Sequence, residues 1–360
     1  MLLFIPSSPP PAFRLYPAGP AAIIAPAMKY LPLTASVFLA LAALCAKARA
    51  EEVQFQSGQW AAATAPATGT AGGELAEIRQ LLREGHPKRA VKLSDQFVEK
   101  HPEDAGAEEA MFLGGQAEMD RELYFQAYER FEKQISKFPA GDLLRRATAR
   151  EADVARAFLA GKKRLVWGFL WLPARAEGVS IMERVITRVS GTELAAQCLT
   201  ELGDYYFNRK NWSEAALAYD RFTEMFGGQY DTSRSEYMAA LSHFRSFRGI
   251  AYEDTPLLEA RQRFKAFVSR YPNGARTDAS LGFLTRIEDL LAEKGHAVGV
   301  FYTRISQPRP AAFYYKLVVR IYPDTPWAQK SLDDEAKLKL PPPKEGVTPI
   351  EQTPGVEVVP

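Results

Sequence analysis

Five times along this chain a small residue is followed, twelve positions later, by a helix breaker. Ala90 leads to Pro102 in AVKLSDQFVEKHP, Ala127 to Pro139 in AYERFEKQISKFP, Ala260 to Pro272 in ARQRFKAFVSRYP, and Ala311 to Pro323 in AAFYYKLVVRIYP. Ala215 to Gly227 is the fifth copy, with Gly in place of Pro. A recurring spacing constrains a fold strongly, because each copy is one supersecondary unit that buries its apolar face on the next. Four positions after each Ala stand Ser94, Phe131, Tyr219, Phe264 and Tyr315; seven positions after stand Phe97, Gln134, Phe222, Phe267 and Val318. Offsets of 0, 4 and 7 share one face of an α-helix. These segments therefore read as helices, in spite of the strand-like composition of FYYKLVVRIY. The Pro ends four of them, since it lacks the N–H that an interior position needs.

A partner helix precedes each one. Gly115, Gly203 and Gly299 lie twelve residues before Ala127, Ala215 and Ala311, and Tyr206 and Tyr302 follow the last two of these Gly by three. Each unit is thus helix, turn, helix, Pro. Thr255-Pro256 and Thr325-Pro326 read as helix starts, a capping hydroxyl before a Pro at the first helical position. Small residue, aromatic, Ala, aromatic and Pro at these offsets resembles the tetratricopeptide repeat, whose period is about 34 residues. The units here are longer: successive Ala residues lie 37, 45 and 51 apart, and the gap of 88 from Ala127 to Ala215 holds a divergent unit at about 143–189. Its helices are read as LLRRATAREADVARAFLAG and RAEGVSIMERVITRVS. The resemblance implies an all-α, tetratricopeptide-like helical-repeat solenoid of about six helix pairs over residues 74–338.

The flanking segments read differently. Residues 1–27 are Pro-rich without helical period and are taken as an extension ahead of the true start. Residues 28–50 have the form of a secretory signal: basic Met28-Lys29, an apolar core from Leu31 to Leu44, and small-x-small Ala48-Arg49-Ala50, with cleavage between Ala50 and Glu51. The apolar core is too short to span a bilayer. This places the folded part in a bacterial periplasm. A lipoprotein signal has Gly, Ala or Ser before its Cys, and Leu44 precedes Cys45, so no lipid anchor at Cys45 is expected. Removal of Cys45 leaves Cys198 with no partner for an internal disulfide, as a small core residue of a helix. Residues 51–73 (with SGQWAAATAPATGTAGG) read as a flexible linker and 339–360 as a disordered Pro-rich tail.

Chemistry is sparse. The net charge of +2 implies neither nucleic acid nor an acidic surface through bulk charge. His86, His101, His243 and His296 lie beyond helical reach of one another, so no metal site is expected. There is no phosphate-binding loop and no nucleophile elbow. Acid pairs such as Glu288-Asp289 read as solvated helix faces. The expectation is a non-enzymatic protein without catalytic, metal or cofactor-binding residues. Two segments are candidate partner surfaces. In GKKRLVWGFLWLPARAEG (161–178), Lys162, Lys163 and Arg164 precede Trp167, Phe169 and Trp171. One reading is a long loop folded over the solenoid with its aromatics buried; the other is an exposed basic-aromatic patch for a partner or a membrane surface. In SHFRSFRG, the residues His243, Arg245 and Arg248 line the first helix of a pair, on the wall that solenoids use for binding.

The last repeats carry a second resemblance. AYEDTPLLEARQRFKAFVSRYPNGARTDAS and EKGHAVGVFYTRISQPRPAAFYYKLVVRIYPDTPWAQKSL are similar to the outer-membrane assembly factor BamD family, through Gly299, Tyr302, Ala311, Tyr322, Pro323, Asp324, Thr325 and Pro326. The resemblance covers 193–338 well and 74–140 only as generic repeats. It implies a cofactor-free periplasmic scaffold, peripheral to the outer membrane. Its partners would be the barrel-forming assembly subunit and unfolded outer-membrane protein precursors. Another periplasmic repeat scaffold, serving cell division or envelope polymer export, is the alternative.

Overall fold

The computed structural model describes residues 53–56, 59–62 and 69–339. The extension, the signal with Cys45, Ala50 and Glu51, and the tail beyond residue 339 lie outside the described residues. The chain divides into two units, at Ala65 and Pro66. In the first, β1 (Val53–Gln56) pairs antiparallel with β2 (Gln59–Ala62), setting Phe55 opposite Trp60. Part of the stretch read as linker is therefore a paired hairpin, built where Val53, Phe55 and Trp60 raise β-propensity.

The second unit is a succession of helices: α1 (Ala71–Arg83), α2 (Pro87–Lys100), α3 (Ala107–Asp120), α4 (Tyr124–Lys137), α5 (Leu144–Leu159), α6 (Arg175–Arg188), α7 (Glu193–Asn208), α8 (Trp212–Phe226), α9 (Ser233–Ser246), α10 (Thr255–Arg270), α11 (Thr277–Arg304), α12 (Pro308–Ile321) and α13 (Pro326–Ala336). Each helix packs mainly on its neighbours in sequence, as in a helical-repeat solenoid. Six pairs run from α1/α2 to α11/α12, and α13 covers the last. Helix α1 begins at Ala71 with Thr70 accepting from the Gly73 amide at 3.2 Å, so the folded body starts three residues ahead of Glu74.

The repeated positions are the core. Ala90, Ala127, Ala215, Ala260 and Ala311 are all fully buried, as are Phe131, Phe264 and Tyr219, and Ser94 and Tyr315 nearly so. Burying one such ring stabilises by about 1.5–3 kcal/mol. The small residue of the first helix makes room for the ring of the second. A Cβ on Gly115 would stand 2.5 Å from Phe131 Cε1, one on Gly203 2.7 Å from Tyr219 Cε1, and one on Gly299 2.6 Å from Tyr315 Cδ1. The divergent pair inverts this arrangement. Its Gly178 lies on the second helix, α6, and faces Phe158 of the first, α5, with a hypothetical Cβ 2.9 Å from Phe158 Cβ. That unit has Gly178 and, twelve residues on, Ser190 where the other copies have Ala and then Pro or Gly.

The helix ends follow from proline. The residue before each Pro adopts almost the same backbone: His101 at φ −129°, ψ 59°, Phe138 at −124°, 67°, Tyr271 at −126°, 61° and Tyr322 at −128°, 55°. The proline ring excludes the α region for the residue ahead of it. The Thr-Pro starts depart from the expected caps. Thr255 is already inside α10, behind Asp254, and its hydroxyl donates to Glu253 at 2.7 Å. Thr325 sits at the cap position, but its hydroxyl donates back to the Tyr322 carbonyl at 2.9 Å. The 51-residue spacing from Ala260 to Ala311 is absorbed by α11, which runs for 28 residues.

Ion pairs join successive second helices. Arg130 of α4 reaches Asp95 of α2 at 2.6 Å, Arg188 of α6 reaches Glu132 of α4 at 2.6 Å, Arg221 of α8 reaches Glu183 of α6 at 2.7 Å, and Arg263 of α10 reaches Asp220 of α8 at 2.6 Å. All are partly solvated, which limits each to about 0–1 kcal/mol. They share a direction, with the Arg on the later helix and the carboxylate on the earlier one.

Candidate functional site

The segment between α5 and α6 is a second hairpin. Gly161, at φ +106°, turns the chain out of α5 in a conformation that suits Gly alone. Strand β3 (Lys163–Val166) pairs antiparallel with β4 (Leu170–Pro173), Val166 facing Leu170 and Lys163 facing Pro173. The turn is Trp167-Gly168-Phe169, with Trp167 at φ +54° and Gly168 at φ +78°. Gly168 takes that conformation freely. Trp167 does so at a cost of about 1–2 kcal/mol.

The aromatics of the hairpin face solvent: Trp167 is 80 % exposed, Phe169 75 % and Trp171 46 %. The reading in which they fold under the solenoid fails, and the reason is local. Arg164 meets the helices at the base, lying 5.3 Å over the Phe125 ring of α4 with its Nε 3.3 Å from Glu177 of α6. Lys162 is held at the hairpin base, 2.8 Å from Glu122 and 5.9 Å over the Tyr124 ring; its pKa is raised, first by the hydrogen bond to Glu122. Lys163 is exposed.

The second candidate surface holds together less well. His243 and Arg245 lie on α9, but Arg248 is two residues past its last turn, so the three do not line one helix. Arg245 and Arg248 are exposed. His243 is half-buried, and burial, then the charge of Arg263, lowers its pKa. At neutral pH it adds no charge to the patch. The two candidate surfaces belong to different pairs, with α7/α8 between them.

One charged cluster escaped the sequence reading. Glu151, in the middle of α5, is completely buried and ion-paired to Arg188 of α6, which also reaches Glu132 of α4. Burial pushes the Glu151 carboxyl up to about 8 against the pull of Arg188, and the neighbouring Glu132 charge adds to the rise. Burial also opposes ionisation of Glu132, but Arg188 and Arg184 more than offset it and lower its pKa. A signal was present: Ala147, Glu151 and Ala155 are four apart, which sets the carboxyl on the apolar stripe. Elsewhere, a cleft of about 250 Å³ between α2, α3 and α4 is lined by Ser94, Asp95, Met111, Arg130 and Lys133. Two of its charges, Arg130 and Asp95, pair with each other at 2.6 Å. Among the described residues no group of three or more His, Cys, Asp or Glu is placed to hold a metal ion. None of their helices is long and apolar enough to cross a membrane.

Residues 177–339, from α6 to the end of α13, match the model of the YfiO family, described as outer membrane lipoprotein. The outer membrane protein assembly factor BamD of Caulobacter vibrioides is 24 % identical over 157 residues, which are 43 % of this chain and 51 % of the relative. Residues 177–339 are BamD-like. The chain spans about half the length of that curated relative. The BamD-like region takes in the second helix of the divergent pair, whose first helix precedes it, as do the hairpin and α1–α4. Solved structures similar to the chain include the C-terminal part of a TPR repeat-containing protein from Cytophaga hutchinsonii (13 % identity, TM-score 0.35, covering 74 % of this chain and 88 % of that one). A tetratricopeptide repeat protein from Parabacteroides merdae is another (10 % identity, TM-score 0.34, covering 74 % and 98 %).

Proposed function

We propose that this protein is a non-enzymatic scaffold of outer-membrane β-barrel protein assembly, working on the periplasmic side of the outer membrane. The observation that carries the reading is the BamD-like stretch from 177 to 339, which spans the three whole helix pairs α7/α8 to α11/α12 rather than isolated motifs. Helical-repeat solenoids work by holding peptides or domains on extended surfaces. Such a surface suits two tasks: docking on the barrel-forming subunit, and transient contact with unfolded precursors. The test is crosslinking of the tagged chain in intact cells of its own host, followed by identification of what co-purifies from the envelope. Recovery of a barrel-assembly subunit with barrel precursors is the expected result. Recovery of division or polymer-export proteins without any barrel machinery overturns it.

A further inference from the structure

We propose that the β3–β4 hairpin is an interfacial anchor that dips its tip into an anionic lipid surface. The tip, LVWGFLWL from Leu165 to Leu172, contains no charged side chain. Its rings are Trp167, Phe169 and Trp171, the first two more than two-thirds free of protein contact at 80 % and 75 % exposure. Aromatic residues of this kind settle at the boundary between headgroups and acyl chains. The collar around the base is cationic: Lys162, Lys163, Arg164 and Arg175 flank the tip, and residues 161–176 contain no acid. Two carboxylates face the collar, Glu122 of the α3–α4 turn on Lys162 and Glu177 of α6 on Arg164. Lys163 and Arg175 are exposed beside them, so the balance at the base is positive.

Dimensions agree with this placement. At about 3.3 Å per residue, a four-residue strand reaches roughly 13 Å. That allows the rings to enter the roughly 5–10 Å of an interfacial site while the cations stay among headgroups, and it falls far short of spanning. The backbone supports the same reading. Trp167 holds a left-handed conformation (φ +54°) that a bulky side chain rarely adopts, and it displays the indole at the extreme of the turn. Strain of this kind persists where a display is needed. A protein partner would ask for polar side chains to set register, and the tip offers only the indole N–H groups. A bilayer asks for none. The inference stands apart from the scaffold reading, and either can fail alone.

The experiment compares the full chain with a Trp167→Ser/Phe169→Ser/Trp171→Ser variant, in sedimentation with vesicles of phosphatidylcholine alone or mixed with phosphatidylglycerol. Both proteins carry the same N-terminal residues, so the difference between them reads the hairpin alone. The expected result is preference of the parent for the anionic vesicles, and a fall in partitioning of at least about tenfold in the variant. Matching circular dichroism confirms that the variant is folded. Lys163→Glu lowers the anionic preference while leaving the rings in place. Brominated lipid quenches the parent's tryptophan fluorescence more than the variant's. Equal partitioning of parent and variant, or no preference for anionic vesicles, overturns the proposal. So does loss of a co-purifying envelope protein in the variant with vesicle binding unchanged, which would assign the hairpin to a protein partner.

Discussion

Consider Gly203→Ala, one methyl added in the middle of α7. Two effects oppose each other. Ala gains about 1 kcal/mol over Gly in a helix interior. The new Cβ, however, would lie 2.7 Å from Tyr219 Cε1 and 2.9 Å from both Cδ1 and Cζ. Carbon atoms prefer about 3.5–4.0 Å, so the ring must retreat by roughly 0.8–1.3 Å. It has nowhere to go: Tyr219 is fully buried, and its hydroxyl donates to Asp204 at 2.5 Å, which is itself held by Arg234 at 2.7 Å. Overpacking of this sort costs about 1–3 kcal/mol, leaving a net loss of about 0–2 kcal/mol. Gly282→Ala in α11 is the control, because a Cβ there meets nothing within 4 Å. It should stabilise by about 1 kcal/mol. Urea unfolding followed by helical circular dichroism should separate the two variants by about 1–3 kcal/mol, although the chemical change is identical. In a Tyr219→Leu background, Gly203→Ala should turn from harmful to helpful. If Gly203→Ala stabilises as much as Gly282→Ala does, the small-against-ring account of the repeat is wrong.

Three further outcomes follow from the same structure. Glu151 binds its proton more tightly folded (pKa about 8) than unfolded (4.5), so its contribution is fully present below pH 4.5 and is lost as the pH rises through 8. Stability should fall by up to about 1.4 kcal/mol per pH unit across that window, and Glu151→Gln should flatten the decline in pH-dependent melting. Cys198 is fully buried with its thiol pKa pushed up to about 12, first by burial, so a thiol reagent should label it only as the protein unfolds. Phe264→Ala, in the buried stack with Phe283 at 5.2 Å between ring centroids, should cost about 3–5 kcal/mol, whereas Trp167→Ala should stay within about 0.5 kcal/mol of the parent in the same melt.

Sequence spacing resolved the fold well because its two determinants are both local. The Ala-to-Pro interval records a helix length, and the Gly twelve residues earlier records the ring that must fit above it. Both can be read without knowing where the chain goes next. What spacing missed depended on relations across helices. The Gly178–Phe158 contact reverses the usual order, and the Glu151–Arg188–Glu132 cluster is assembled from three helices. Thr255 lies one residue inside its helix and Thr325 holds the cap position, but in both a nearby carboxylate or carbonyl takes the hydroxyl. The hairpin was ambiguous for a different reason. A run of aromatic and aliphatic residues looks the same whether it is sheltered or displayed, and what distinguishes the two is the contact of Arg164 with Phe125 and Glu177 on helices distant in sequence.

The neighbour-to-neighbour packing has a mechanical consequence. Each helix pair leans on the pair before and the pair after, with no central core common to all. Loss of one terminal pair therefore removes one interface and leaves the others standing. Such a chain can open from an end, like a zipper, while its far end keeps its grip. A force applied at either end would be met by one joint at a time rather than by the whole molecule at once.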